Sequence, residues 1–345
     1  MAEEAGCKVQ KGTASGAPGQ GGQRPAVRGR FAPSPSGRMH LGNVFCALLA
    51  WLSVRAQGGT LVLRIEDLDP GRCKPAYTAQ LEDDLRWLGL DWDEGDGVGG
   101  PDGSYRQSLR TPVYADCLEA LSKRTQVYAC YCKRSELHAA QAPHASDGTP
   151  VYSGRCRALS PRERAEQAQG RAPSLRLRVP EPGQDRVAFT DGHLGPYAEN
   201  LARDCGDFII RRSDGVYAYQ LAVVADDAAM GITEVVRGRD LLSSTPRQLY
   251  LYRLLGKPAP RFYHIPLLVT AEGRRLSKRD RGMDLGYLRQ RGWRPEEILG
   301  RLAHLGGLLP SEEAISAYEL ARLFDWSKVP VENIVVPEDF LNGFR

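Results

Sequence analysis

The sequence predicts an α/β protein organised on a parallel β-sheet, and three observations carry that reading. The run LVLRIED, residues 61–67, is almost continuously apolar, as in a strand covered on both faces. The preceding LGNVFCALLAWLSVRAQGG has helical length and ends on Gly58 and Gly59. Strand, helix and strand in that order make a parallel βαβ unit, and the pattern returns where ITEVVRG, TPRQLYLYRLLG and FYHIPLLV read as strand, helix and strand.

Along the chain, residues 1–27 contain no Leu, Ile or Phe and are rich in Gly, Gln, Ala and Lys, which leaves too little apolar area to offset ordering. A disordered extension is expected there. Val27 to Pro33 reads as a short strand and opens the first half of a core spanning residues 28–129. Helices follow around Ala76 to Leu88 and Pro112 to Arg124. VYACYC reads as a strand at the start of an insertion over residues 130–205, in which residues 133–173 are polar and rich in Pro, Gly, Ser and Arg. SLRLRV and RVAFTD read as strands. In DFIIRRSDGVYAYQLAVVADD, Asp214 and Gly215 sit between two β-rich runs and predict a hairpin. The core resumes over residues 206–283, and a short helical part over residues 284–345 is expected from segments around Asp284, Pro295 to Leu305 and Ala317 to Asp325.

The chain has 345 residues, which at about one domain per 150 residues suggests two domains. Its 46 basic and 42 acidic residues leave a net charge of +4, too mild for a DNA-coating protein and compatible with a local basic face for RNA. No apolar stretch reaches the roughly 20 residues that span a bilayer, and the first residues lack the apolar core of a signal peptide. A cytoplasmic location, no membrane partner and a monomeric state are expected. The eight cysteines then argue for metal ligation rather than a disulfide framework.

Two loops carry the chemistry. RFAPSPSGRMHLGN, residues 30–43, places a stiff small-residue loop directly before a helix whose first N–H groups attract phosphate. Pro33 and Pro35 stiffen the approach, Gly37 allows close backbone contact, and His40 and Asn43 add polar groups at the first turn. The second loop, EGRRLSKRDRG, crowds Arg274, Arg275, Lys278, Arg279 and Arg281 around one serine. Cys130 and Cys132, two apart on a strand and so on one face, with Cys156 24 residues later, suit a tetrahedral Zn²⁺ site needing a fourth ligand. General chemistry nominates His138 or His144 for it.

Taken together these residues resemble the class I aminoacyl-tRNA synthetases. His40-Leu41-Gly42-Asn43 stands at the His-Ile-Gly-His signature and RLSKR, residues 275–279, resembles Lys-Met-Ser-Lys-Ser. RFAPSPSG, RIEDLDPGR and YQLAVVADDAAMGITEVVRGRDLL fall in the order and spacing of the glutamyl branch, and the likeness covers nearly all of residues 28–300. Asn43 replaces the final His, and Arg275 and Arg279 stand at the first and last positions of the second signature.

The resemblance implies a Rossmann-type catalytic core with a zinc-binding insertion and a short helical C-terminal part. It implies activation of L-glutamate by ATP, with Mg²⁺, to glutamyl-adenylate. Lys278 and His40 are the implied catalytic pair, with His40, Gly42, Asn43 and Lys278 on ATP. Arg30, Phe31, Ala32, Pro33, Ser34, Glu66, Tyr219 and Arg237 are the implied glutamate site. The arginines supply carboxylate donors, Glu66 takes the ammonium and Tyr219 offers a hydroxyl. Asp67, Asp69, Asp226 and Asp227 are left between ribose contacts and structural turns. The family pattern Cys-x-Cys, then Tyr-x-x-x-Cys, implies Tyr152 as the fourth zinc ligand with Cys130, Cys132 and Cys156.

Only 67 residues follow Lys278, short of the helical anticodon reader of full glutamyl-tRNA synthetases. The chain therefore resembles the short paralogues of that branch that attach glutamate to queuosine in tRNA(Asp). A shortened glutamyl-tRNA synthetase and a non-catalytic nucleotide- or RNA-binding module are the alternatives. Joint retention of Lys278, His40, Arg30 and Glu66 argues against the latter.

Overall fold

A computed structural model describes residues 26–133, 151–276, 284–337 and 339–341. Its centre is a five-stranded, all-parallel sheet in the order β10-β9-β1-β2-β3, formed by β1 (Arg28–Phe31), β2 (Thr60–Leu63), β3 (Glu94–Gly95), β9 (Glu234–Gly238) and β10 (Arg261–Ile265). Alternate residues face opposite layers. Leu61, Leu63, Val236, Tyr263 and Ile265 join a core on one side with helix α1 (Leu41–Ala56). Val62, Val235 and Phe262 join a second core on the other side.

The second layer holds α3 (Thr111–Ser122), α5 (Tyr219–Ala229) and α6 (Ser244–Leu255). The first also receives α2 (Pro75–Trp87) and the C-terminal helices α7 (Leu285–Gln290), α8 (Pro295–Leu305) and α9 (Ala317–Leu323). The parallel α/β core expected from the apolar runs is present. Between its halves lie a three-stranded antiparallel sheet of β4 (Val127–Cys130), β5 (Ser174–Leu177) and β8 (Phe208–Arg211), the exposed helix α4 (Pro161–Gly170), and a hairpin of β6 (Arg186–Asp191) and β7 (Gly195–Asn200).

The structure corrects three local expectations. The turn at Asp214 and Gly215 forms, with an isolated bridge between Arg211 and Tyr217, but the run after it is helix α5 rather than a strand. Leu221, Ala222, Val224 and Ala225 recur at helical spacing, and with Val223, Asp226 and Asp227 also buried the helix is enclosed on every side. FYHIPLLV breaks at Pro266, so β10 stays in the main sheet while β11 (Leu268–Val269) pairs in parallel with β12 (Ile334–Val335). Cys132 lies beyond the end of β4 and does not share a strand with Cys130. Residues 1–25 of the expected extension, His138, His144, Lys278, Arg279 and Arg281 lie outside the described residues. Among the described residues no helix is long and apolar enough to cross a membrane.

Candidate active site

Successive strands run outward from β1 through β2 to β3 on one side, and through β9 to β10 on the other, so the chain reverses its direction of winding between β1 and β9. Crevices open at such a point, beyond the carboxyl ends of the strands. Arg30 comes from the end of β1 and Arg237 from the end of β9, one on each side of the switch. Glu66 follows β2, and Tyr219 opens α5. All four line one cleft of about 590 Å³, together with Phe31, Ala32, Pro33, Ser34, His40, Gly42 and Asn43. Every sequence-nominated glutamate or ATP residue within the described residues is thus in one place.

The guanidiniums are buried, Arg30 at 5% exposure and Arg237 at 3%. Arg30 donates from Nη1 to the Val236 carbonyl at 3.2 Å and lies 3.7 Å from Asp227 Oδ1, while its Nε has no hydrogen-bond acceptor. Arg237 donates to Gln248 Oε1 at 2.8 Å, Thr245 Oγ1 at 2.6 Å and His264 Nε2 at 3.0 Å, and stands 3.5 Å from the Tyr219 hydroxyl. Glu66 accepts from Arg64 Nη2 at 3.3 Å. Burial raises its carboxyl above the usual range, with Arg64 and Arg30 opposing. Arg30, Arg237 and Glu66 together set two cations and one anion in this cleft, a complement to two carboxylates and an ammonium, and Arg72, Arg275 and Asp240 line it as well.

In the same cleft His40 caps α1. Its Nδ1 accepts from the Gly42 amide at 3.1 Å, which puts the ring hydrogen on Nε2, and the Asn43 side chain accepts from the His40 amide at 3.3 Å. Gly42 suits this arrangement, since a Cβ there would crowd the imidazole at 3.0 Å. Gly37, at φ 143°, lets the loop turn into the helix. The second signature reaches the same cleft, for Arg275 pairs with Asp240 on its wall and Leu276 lines it. The chain returns at Asp284, bridged to His40.

The four ambiguous acids each make contacts within the chain. Asp67 accepts from the Ser108 amide at 2.8 Å and hydroxyl at 2.7 Å, and Asp69 accepts from the Gly71 amide at 3.2 Å. Asp226 accepts from Arg110, Gln107 and Tyr114, and Asp227 from Arg64 at 2.6 Å. His264, Thr245, Gln248 and Asp191, which hold Arg237, were missed by the sequence reading.

The cysteine cluster survives the correction at Cys132. The Sγ atoms of Cys130, Cys132 and Cys156 all lie within 4.8 Å of one another, and Cys132 and Cys156 are 3.5 Å apart. The Tyr152 hydroxyl lies 3.5 Å from Cys130 Sγ and 3.9 Å from Cys132 Sγ. A tetrahedral centre with Zn–S near 2.3 Å has edges of about 3.8 Å, so this S₃O set fits a zinc ion. Arg176 supports it from behind, donating to Cys130 Sγ at 3.2 Å and lying over the Tyr152 ring. Burial pushes the Cys130 thiol up, and Arg176 with the neighbouring hydrogen bonds outweighs it and holds the thiol below its ordinary range.

Residues 26–342 match the family of class I tRNA synthetases (E and Q), catalytic domain. The chain is 50% identical to the glutamyl-Q tRNA(Asp) synthetase of Symbiobacterium thermophilum, over 90% of this chain and 96% of that one. It is 43% identical to glutamate–tRNA ligase 2 of Acidithiobacillus ferrooxidans, over 88% of this chain and 63% of the ligase. Among solved structures it superposes on a glutamate tRNA ligase from Elizabethkingia meningosepticum in complex with its amino acid, with a TM-score of 0.78 at 29% identity, over 91% of this chain and 68% of that one. A parallel sheet with its cleft at the switch point, a family match along nearly the whole chain and a half-identical relative matched almost end to end agree: the chain belongs to the class I tRNA synthetases of the E and Q branch, and within it to the glutamyl-Q tRNA(Asp) synthetase family.

Proposed function

We propose that the protein activates L-glutamate with ATP and transfers the glutamyl group to queuosine at the wobble position of tRNA(Asp). The observation that carries the first half is the pair Arg30 and Arg237 on either side of the switch point, lining one cleft with Glu66 and the capped end of α1. One carboxylate oxygen of glutamate attacks the α-phosphorus of ATP, the bond to pyrophosphate breaks, and glutamyl-adenylate remains. The chain's part is positioning and charge stabilisation. The two guanidiniums orient the carboxylates, Glu66 holds the ammonium, and His40 with the α1 amides stabilises phosphate oxygens. Lys278, outside the described residues, is assigned to the same phosphates through its signature motif, with Mg²⁺ accompanying the nucleotide.

The second half rests on the relative half-identical to this chain and on a second cleft of about 410 Å³, which shares Ser34, Ser36, Glu66, Arg72 and Tyr219 with the first. Arg212 and Tyr217 also line it, a cation and an aromatic ring suited to an extruded RNA base. A hydroxyl of that base attacks the carbonyl carbon of the adenylate, and AMP leaves. Labelled glutamate is expected to pass to tRNA(Asp) containing queuosine and not to the same tRNA with guanosine at that position. Labelling of tRNA(Glu) at its 3′ end instead makes the protein a short glutamyl-tRNA synthetase.

The Cys130, Cys132, Tyr152 and Cys156 set holds a structural Zn²⁺, which ties the polar insertion to β4 through metal–ligand bonds. Elemental analysis of protein purified without chelator is expected to give one zinc per chain, lost in Cys156→Ser. Zinc retained in Tyr152→Phe but lost in His144→Ala would transfer the fourth ligand to the histidine.

A further inference from the structure

Arg237 is held by groups that belong to neither signature. Its Nε–H donates to His264 Nε2 at 3.0 Å, and His264 is its register partner on β10. A guanidinium nitrogen only donates, so Nε2 must accept and the ring hydrogen sits on Nδ1. Nδ1 lies 2.6 Å from Asp191 Oδ2, at the end of β6, and neither side chain is exposed. The other oxygen of Asp191 is engaged three times, by the amides of His193 at 3.0 Å, Leu194 at 2.9 Å and His264 at 3.1 Å. Thr245 Oγ1 accepts from Arg237 Nη2 at 2.6 Å and lies 3.1 Å from His264 Nε2.

We infer that Asp191 and His264 are positioning residues for the substrate carboxylate: Asp191 locks His264 as its Nδ1–H tautomer, and the bare Nε2 fixes the Arg237 guanidinium. The inference rests on the assignment of Arg237 to glutamate. Among the described residues the hydrogen-bond partners of Arg237 are neutral, a ring nitrogen, an amide, two hydroxyls and the Leu241 carbonyl. No carboxylate neutralises it at contact distance there, so its charge is kept for an incoming anion while its direction is fixed by uncharged acceptors. Burial lowers His264 to about 4, with Asp191 opposing, and keeps the ring neutral at neutral pH. A protonated ring would present a donor and a positive charge to Arg237 and undo the arrangement.

Asp191→Asn tests this with one atom changed. The three amides select the Asn oxygen, so its NH₂ faces His264 Nδ1, forces the hydrogen onto Nε2 and sets it against the Arg237 N–H. In pyrophosphate exchange the KM for glutamate is expected to rise about 10- to 100-fold, the scale of one hydrogen bond to a charged group, with the KM for ATP unchanged. Nitrogen-15 NMR of His264 should show the hydrogen moving from Nδ1 to Nε2. In an Arg237→Met background Asp191→Asn should add nothing to the glutamate KM. His264→Gln, whose amide oxygen can accept from Arg237, should keep more glutamate affinity than His264→Leu. Equal rises in both KM values, full additivity with Arg237→Met, an Nε2–H tautomer in the parent, or equal losses in the two His264 variants would each overturn the relay. An unchanged glutamate KM in Arg237→Met alone would overturn the assignment of Arg237 beneath it.

Discussion

Arg237→Met is expected to lower kcat/KM for glutamate in adenylate formation by about 10²- to 10³-fold, the cost of removing one partner from a buried hydrogen-bonded charge pair. The protein should meanwhile stay folded, with a Tm within about 1.5 °C of the parent, equivalent to about 1 kcal/mol in a chain of this size. The two halves of this expectation have one cause. Burial holds the Arg237 guanidinium below its ordinary pKa, so in the empty site its charge opposes folding rather than supporting it. Its partners can close ranks without it, since the Thr245 hydroxyl already lies 3.1 Å from His264 Nε2. A bound carboxylate supplies the missing anion, and a pocket built for that pairing rejects the neutral amide of glutamine by leaving the cation unmatched. Thermal melts and exchange with glutamate and glutamine check both halves. A Tm fallen by about 4 °C or more, about 3 kcal/mol on the same scale, would make Arg237 a structural residue.

How much of this was legible in the sequence follows from where each signal lies along the chain. The β1–α1–β2 unit was readable because its apolar runs and terminal glycines are local. Helix α5 was not, because Tyr217, Tyr219, Val223 and Val224 favour strands while Asp226 and Asp227 look polar in a helix that is in fact buried on every side. Only a partner elsewhere in the chain reveals a buried aspartate, and Arg64 and Arg110 are 163 and 116 residues away. Arg30, Glu66, Tyr219 and Arg237 were reached through motif resemblance, which supplies long-range proximity that composition lacks. Asp191 and His264 lie 73 residues apart and outside those motifs, so nothing local marked them. Cys132 was placed near Cys156 for a partly wrong reason: the strand ends at Cys130, and the turn of the chain after it closes the distance.

Asp227→Ala is expected to lower the stability of the folded chain by about 3–5 kcal/mol, the largest loss foreseen for any single substitution here, because it strips a buried cation of its nearest carboxylate. Arg64 is fully buried and donates to Asp227 at 2.6 Å and Glu66 at 3.3 Å, with Asp226 at 3.7 Å. Burial works against its charge, and the Asp227, Asp226 and Glu66 carboxylates outweigh it and raise its pKa. Loss of about 3–5 kcal/mol is a large part of the roughly 5–15 kcal/mol that holds a domain together. Asp227→Asn keeps the volume and an acceptor but not the charge, and its urea midpoint should fall between those of the parent and Asp227→Ala. A loss below about 1 kcal/mol in Asp227→Ala would show that water or a rearranged Asp226 satisfies Arg64 instead. The same substitution reaches the site, since Asp227 lies 3.7 Å from Arg30 Nε and Arg64 bonds Glu66. Asp227→Asn should therefore raise the KM for glutamate even where it remains folded, because Arg64 then leans more strongly on Glu66 and weakens its hold on the ammonium. With Arg30 and Glu66 assigned to glutamate as proposed, the buried ion network and the recognition of the amino acid are one electrostatic system, with Asp227 close to both Arg64 and Arg30.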